Sequence, residues 1–569
     1  MVDPKLRFRK RRPTKEILAV LNRTAPFVPP TAGKRASTAG EPLAPLDIQA
    51  GLEPYTATLD RHRAAHLLRR TSFGAGVDRL NELIGRPADQ VVDELVDEAV
   101  ARPLPETPVW ATTKPPGPNA SDEQFDAFFE MNDEWIFEEV LPSLYKGLHE
   151  GGLREKLTLF WHGHFVTGLD SYFMAAFAHQ YMTMLRTNAL GNFKTFVYEV
   201  GIDASMLYYL NGADNIVGQP NENYARELCE LFTMGIQDDQ GNDNYSEEDI
   251  EEIARALTGW VVDWFNLKVE YFFPYHDHGN KTFFGRSGNF DYDDVIDILF
   301  EERAEQIARF ICRKIYEEFV YAAPDEAIIT ELTTLFRAND FEIAPVVRTL
   351  LKSAHFFDTQ VVGARIKSPA EQMVGFTLDG ETEPGGDLYL LLFYLAAELG
   401  QFYLEPPNVA GWPGHRTWLT TSTLVNRWDF VLYLIYGNPE PEEEDDVGFN
   451  GANLRVLSEK LYDQNDALAP FRLPAALVEH FMPIRVDELN IEPVGGEFGG
   501  DLVNNPIPAE IANGPVYVRE LSKRFLMGIP WYEWRDIWDS NDDDVQETVH
   551  YILIAFLNYV TQLPEFQLG

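Results

Sequence analysis

Positive charge is scarce in this chain, cysteine is nearly absent, and long apolar runs are missing. Asp and Glu number 90 against 47 Lys and Arg, for a formal net charge of -43. Phosphate recognition needs a basic face, so the balance argues against nucleic acid as a partner. Most of the basic residues are Arg, and Lys is sparse. Such a surface fits work in high salt, where repulsion between like charges is screened, or simply a soluble acidic protein. The two cysteines, Cys229 and Cys312, lie in apolar, helix-like stretches. They make neither a disulfide framework nor a zinc knuckle and read as buried free thiols, which fits a reducing compartment. No run of 18 apolar residues occurs, so no membrane span is expected. The first residues, MVDPKLRFRKRRPTKEILAV, are basic but lack an apolar h-region. The expectation is a cytoplasmic protein rather than an exported one.

What is there is an ordinary globular composition, 45% hydrophobic and 24% charged, in 569 residues. That length suggests more than one packed lobe. Residues 1–55 read as a basic, Pro-rich arm. Residues 56–569 read as a helical domain, divisible into lobes at 56–300 and 301–569. Inserts fall near 437–450, with the acidic run Glu442 to Asp446, and at 484–516, which is rich in Gly. Apolar residues recur at helical spacing through most of the chain, whereas 262–292 and 403–418 break the pattern. The expected fold is mainly α: an orthogonal, bundle-like array of helices with long irregular loops and short β excursions.

Polar residues concentrate in the middle third. In QPNENYARELCELFTMG, Tyr224, Leu228, Leu231 and Phe232 form an apolar stripe. Asn223, Arg226, Glu227 and Glu230 form a polar one, and Arg226 and Glu230 are spaced to pair. Asn221 or Asn223 can cap the start, and Gly235 can end it. The next helix, from Ser246, carries a capping-box pattern with Asp249, and Glu251 is spaced to pair with Arg255. FWHGHF contributes His162 and His164. On a helix the two rings diverge, whereas on an extended segment they share a face and could bind one metal. PYHDHGNKTFFG crowds His276, Asp277 and His278 ahead of Lys281. EPPNVAGWPGHRTW offers Trp412 as a pocket wall and Arg416 for an anion. Each segment also has a plain alternative: surface ion pairs, core histidines, a solvated turn, a rigid packing loop.

Taken together, HLLRRTSFG, FWHGHF, NENYARELCELFTMG, EEDIEEIARALTGW, HDHGNKTFFG, SPAEQMVG, PPNVAGWPGHRTWL and LPEFQ resemble the bacterial proteins catalogued as domain of unknown function 1800. The resemblance implies a mainly helical fold, and often a sulfatase-like partner of the domain of unknown function 1501 family. It places Asn223, Arg226, Glu227, Arg255, Trp260, His276, Lys281 and Trp412 in motif positions and gives none of them a role. Two functions remain open. In a metal-assisted hydrolase, a divalent metal ion would sit on His162, His164, His276 and Asp277. Glu227 would then be ligand or general base, Arg226 and Lys281 would stabilise negative charge, and Asn223, Arg255, Trp412 and Arg416 would bind the ligand. In a scaffold or accessory protein, the same residues form a structural network.

Overall fold

The computed structural model describes residues 43–438 and 448–569. Most of the basic arm and the acidic run therefore lie outside the described residues. Among those described, helices dominate, and the only sheets are two small antiparallel pairs. The fold is mainly α with short β excursions, as the periodicity predicts. Among the described residues no helix is long and apolar enough to cross a membrane.

Contacts group the chain into two compact units, each assembled from separated segments. The first comprises the segment ending at Thr56, Asp89–Asp358 and Gln401–Pro413. Its core gathers around Trp161, which is fully buried and stacks on Phe165, with Phe193 and Phe196 also against it. The indole N–H donates to the Ala189 carbonyl at 2.9 Å, so this large apolar side chain is buried without an orphaned donor. Two buried groups of opposite charge, Glu155 and Arg186, pair through two hydrogen bonds of 2.7 and 3.0 Å.

The second unit comprises Ala57–Ala88, Thr359–Gly400 and Gly414–Gly569. Helix Pro369–Asp379 is buried along most of its length. It starts with a capping box between Ser368 and Glu371 and carries Pro at its first position, where no N–H is needed. The residues from Met482 to Pro508 form no regular element.

Local signals explain the elements around the polar segments. Ser246 and Asp249 form the capping box that their spacing predicts, and helix Glu247–Ala256 follows. The Asn221 side chain accepts from the Asn223 N–H at 3.0 Å, and helix Asn223–Glu227 starts there. From Leu228 to Thr233 that helix widens to i→i+5 hydrogen bonding, then stops at Gly235 with φ +76°. The irregular stretch after Ala256 holds both sheets. β1 (Trp260–Asp263) pairs with β2 (Lys268–Tyr271), and β3 (Lys281–Phe283) pairs with β4 (Arg286–Gly288).

Candidate functional site

His162 and His164 lie on helix Gly152–His164. At about 100° per residue the two rings diverge. His162 is fully buried and its ring nitrogens are both engaged. The Leu404 N–H donates to Nε2 at 3.1 Å, so the ring proton sits on Nδ1 and points to the Tyr181 hydroxyl at 3.0 Å. That hydroxyl in turn donates a hydrogen bond to the Phe165 carbonyl. Burial lowers the His162 pKa to about 3, and a neutral ring suits this relay. His164 instead donates Nε2–H to the Phe232 carbonyl at 2.9 Å. Its Nδ1 is buried without a hydrogen-bond partner among the described residues, walled by Trp161, Phe165, Phe193, Phe232 and Phe310.

The HDHG loop forms a separate hub. His276 donates Nδ1–H to the Thr258 carbonyl at 2.9 Å and turns Nε2 toward the Lys281 ammonium at 3.4 Å. Lys281 is fully buried and also donates to the Asp277 carbonyl, to the Phe290 carbonyl at 2.7 Å and to Asn289 Oδ1 at 3.3 Å. Burial lowers its pKa, and the carboxylate of Asp277 opposes that shift. Asp277 takes two hydrogen bonds from Arg255, at 2.8 and 3.3 Å, and a third from the Gly279 N–H. Arg255 also binds Glu252 at 2.7 Å rather than the expected Glu251. Gly259, at φ +107°, lets the chain pass under this loop: a Cβ there would lie 3.2 Å from that of His276.

Arg226 clamps Glu222 and Glu247, at 3.2 and 2.7 Å, not Glu230. The wider turn from Leu228 moves Glu230 off the ridge above Arg226. Glu230 accepts from the Tyr245 hydroxyl at 3.0 Å instead. Asn223 is exposed and reaches Asn211 at 3.3 Å. Trp412 meets the His162 ring edge-on at 5.5 Å and covers Gly163, while its indole N–H has no partner among the described residues. Arg416 falls in the second unit and is exposed. The four expected ligands thus divide between separate hydrogen-bond systems. Among the described residues no three His, Cys, Asp or Glu side chains are grouped to hold a metal ion.

Glu227 differs from its neighbours. It is half-buried and has no hydrogen-bond partner among the described residues. Burial raises its pKa, Glu230 adds to the rise, and Arg226 opposes it. It lies within electrostatic range of Tyr209, whose phenol also feels Glu405 and Asp170. Those two carboxyl groups face one another. Glu405 accepts from the Asp170 N–H at 3.1 Å, and burial followed by the Asp170 charge raises its pKa to about 8. Two carboxylates this close cannot both ionise cheaply. Gly168 makes the approach possible: a Cβ there would lie 3.1 Å from Glu405 Oε1, 3.2 Å from Asp170 Oδ1 and 3.2 Å from the Tyr209 ring.

The sequence pattern missed Gly168, Asp170, Tyr209 and Glu405. Asp170 follows six residues after the His-x-His pair, and Glu405 opens the Pro-Pro turn; a carboxylate ahead of two prolines was the available signal. Their partnership spans 235 residues of chain and leaves no local pattern.

One family model, described as "Protein of unknown function (DUF1800)", matches residues 66–568. No curated protein and no solved structure matches the chain.

Proposed function

We propose that this chain, which belongs to the DUF1800 family, is a hydrolase of the acid–base type, working through the carboxyl groups of Glu405, Asp170 and Glu227. The observation that supports it is the pair Glu405 and Asp170, one carboxyl holding its proton to about pH 8 beside another. A carboxyl group that keeps its proton this far above the ordinary range is suited to act as a general acid. Glu405 would give its proton to the leaving atom as the scissile bond breaks. Asp170 or Glu227 would take a proton from the attacking water. Arg226, Arg255 and Lys281 hold the surrounding helices and loop through their existing partners. Metal assistance would require His162 Nε2 to give up the hydrogen bond it accepts from the Leu404 N–H, and His276 Nε2 to turn from the Lys281 ammonium.

The test is a panel of chromogenic glycosides, esters, phosphates and peptides, assayed from pH 4 to 10 with and without chelator. A chelator-resistant activity with a bell-shaped profile is expected, lost in Glu405→Gln and Asp170→Asn and kept in His276→Gln. Activity that survives both carboxyl variants, or that chelator abolishes, contradicts the reading.

A second reading, an accessory protein, is favoured by one surface. Tyr271, Phe272, Phe273 and Tyr275 are all more than 40% exposed on β2 and the turn beyond it. Exposed aromatics of this density mark interaction sites. The partner on that reading is the sulfatase-like protein that the family resemblance suggests. Phe273→Asp should abolish co-purification, and unchanged co-purification counts against it.

A further inference from the structure

The second unit buries more positive charge than it neutralises. Lys367, Arg69 and Arg427 are each at most 9% exposed and lie within electrostatic range of one another through Lys367, against two carboxylates, Asp379 and Glu371. Asp379 is already paired with Arg69 at 3.2 Å. Glu371 is shared with a further cation, Arg365, at 3.7 Å. An uncompensated buried charge costs several kcal/mol in a low-dielectric interior, so such a set calls for a counter-ion or a lost proton.

The hydrogen bonds show where a counter-ion fits. Arg427 is fully buried. It donates through Nη1 to Gln567 Oε1 at 3.0 Å and through Nη2 to the Lys367 carbonyl at 2.6 Å. Its Nε–H has no acceptor among the described residues. The Nε2 amide of Gln567, 3% exposed and in contact with the same guanidinium, also lacks a partner. Buried donors without acceptors are uncommon and demand an explanation. Lys367 sits beside them, with its ammonium donating to the Phe566 carbonyl at 3.0 Å and lying 4.5 Å from the Phe566 ring centroid.

We infer that Arg427, Gln567 and Lys367 form a buried binding site for a halide ion, chloride under ordinary conditions. The free donors decide the class. Nη1 and Nη2 of Arg427 each already donate to a protein acceptor, so Nε is the one guanidinium nitrogen that makes no hydrogen bond among the described residues. The nitrogens left without any bond, Arg427 Nε and Gln567 Nε2, lie on separate side chains, an arrangement that suits a small spherical anion. One negative charge also offsets part of the excess of Lys367, Arg69, Arg427 and Arg365 over Asp379 and Glu371. Burial and the neighbouring guanidiniums lower the Lys367 pKa to about 7, and a bound anion would return it upward.

The experiment compares sodium chloride, sodium bromide and sodium gluconate at equal ionic strength, using the full chain. Chloride and bromide should raise the melting temperature by roughly 1–3 °C per tenfold rise in concentration above the gluconate control. The halide-specific increment should vanish in Arg427→Gln and shrink in Lys367→Met. Crystals grown in bromide should show an anomalous peak at hydrogen-bond distance from Arg427 Nε, a readout that needs no variant to fold. A water in that place, or identical melting in all three salts, overturns the site.

Discussion

Two polar regions of the first unit, built from neighbouring motifs, solve opposite problems. In the HDHG hub every charge has a partner of opposite sign or a carbonyl: Lys281 with Asp277, Asn289 and Phe290, Arg255 with Asp277 and Glu252. At the carboxyl group of Glu405 the near neighbours are Asp170 and a phenol, with Glu227 also in the field of that phenol. A satisfied network stabilises a fold and leaves no atom free for chemistry. Like charges held together cost stability, and such arrangements cluster where function requires them. The richest motif is therefore the better candidate for architecture, and the less conspicuous carboxylates for chemistry.

The largest effect is expected at Lys281. Lys281→Met removes a buried ammonium and leaves the carbonyls of Asp277 and Phe290 unpaired. The expected loss is about 3 kcal/mol in urea or thermal unfolding. A loss below about 1 kcal/mol would show that the hub is not a structural keystone.

Next is Glu405→Gln. The Glu405 pKa is raised in the folded state, from an ordinary 4.5 to about 8, so the folded protein holds a proton that the unfolded chain releases. The wild type should therefore lose stability as pH rises from 4.5 to 8, with the penalty fully present above 8. Glu405→Gln should flatten that slope and gain about 1–3 kcal/mol at pH 9. Identical slopes in wild type and variant would remove the basis for a shared proton.

Smaller effects separate Glu230 from Glu227. Glu230→Ala loses the Tyr245 hydroxyl contact and should cost about 1 kcal/mol. Glu227→Gln breaks no hydrogen bond and should leave stability unchanged within about 0.5 kcal/mol. On the hydrolase reading it should change the pH profile. Arg226→Ala removes pairs that are about one-third exposed at the arginine, so roughly 0.5 kcal/mol is expected, shrinking further in salt.

Much of the fold was legible because it is locally encoded. Ser246 and Asp249 cap a helix through a three-residue spacing, and Gly235 ends one through its left-handed backbone. The polar faces were legible only where the helix stays regular. The stripe joining Arg226 to Glu230 assumes 3.6 residues per turn, and the widened turn from Leu228 breaks that assumption. His162 and His164 illustrate the same limit. Their spacing leaves helix and strand open, and only the helix of Gly152–His164 sends the rings apart. The Asp170 and Glu405 pair lay beyond reach, because a contact across 235 residues has no period.

The carboxyl pair is the centre of this account, and isotope-edited infrared titration of Glu405 tests it most directly. In the wild type the protonated carboxyl band of Glu405 should persist at pH 7 and disappear near pH 8, while Asp170→Asn should bring the midpoint down toward the ordinary carboxylate range. A Glu405 band already lost by pH 6 in the wild type would contradict the pairing and the acid–base function built on it.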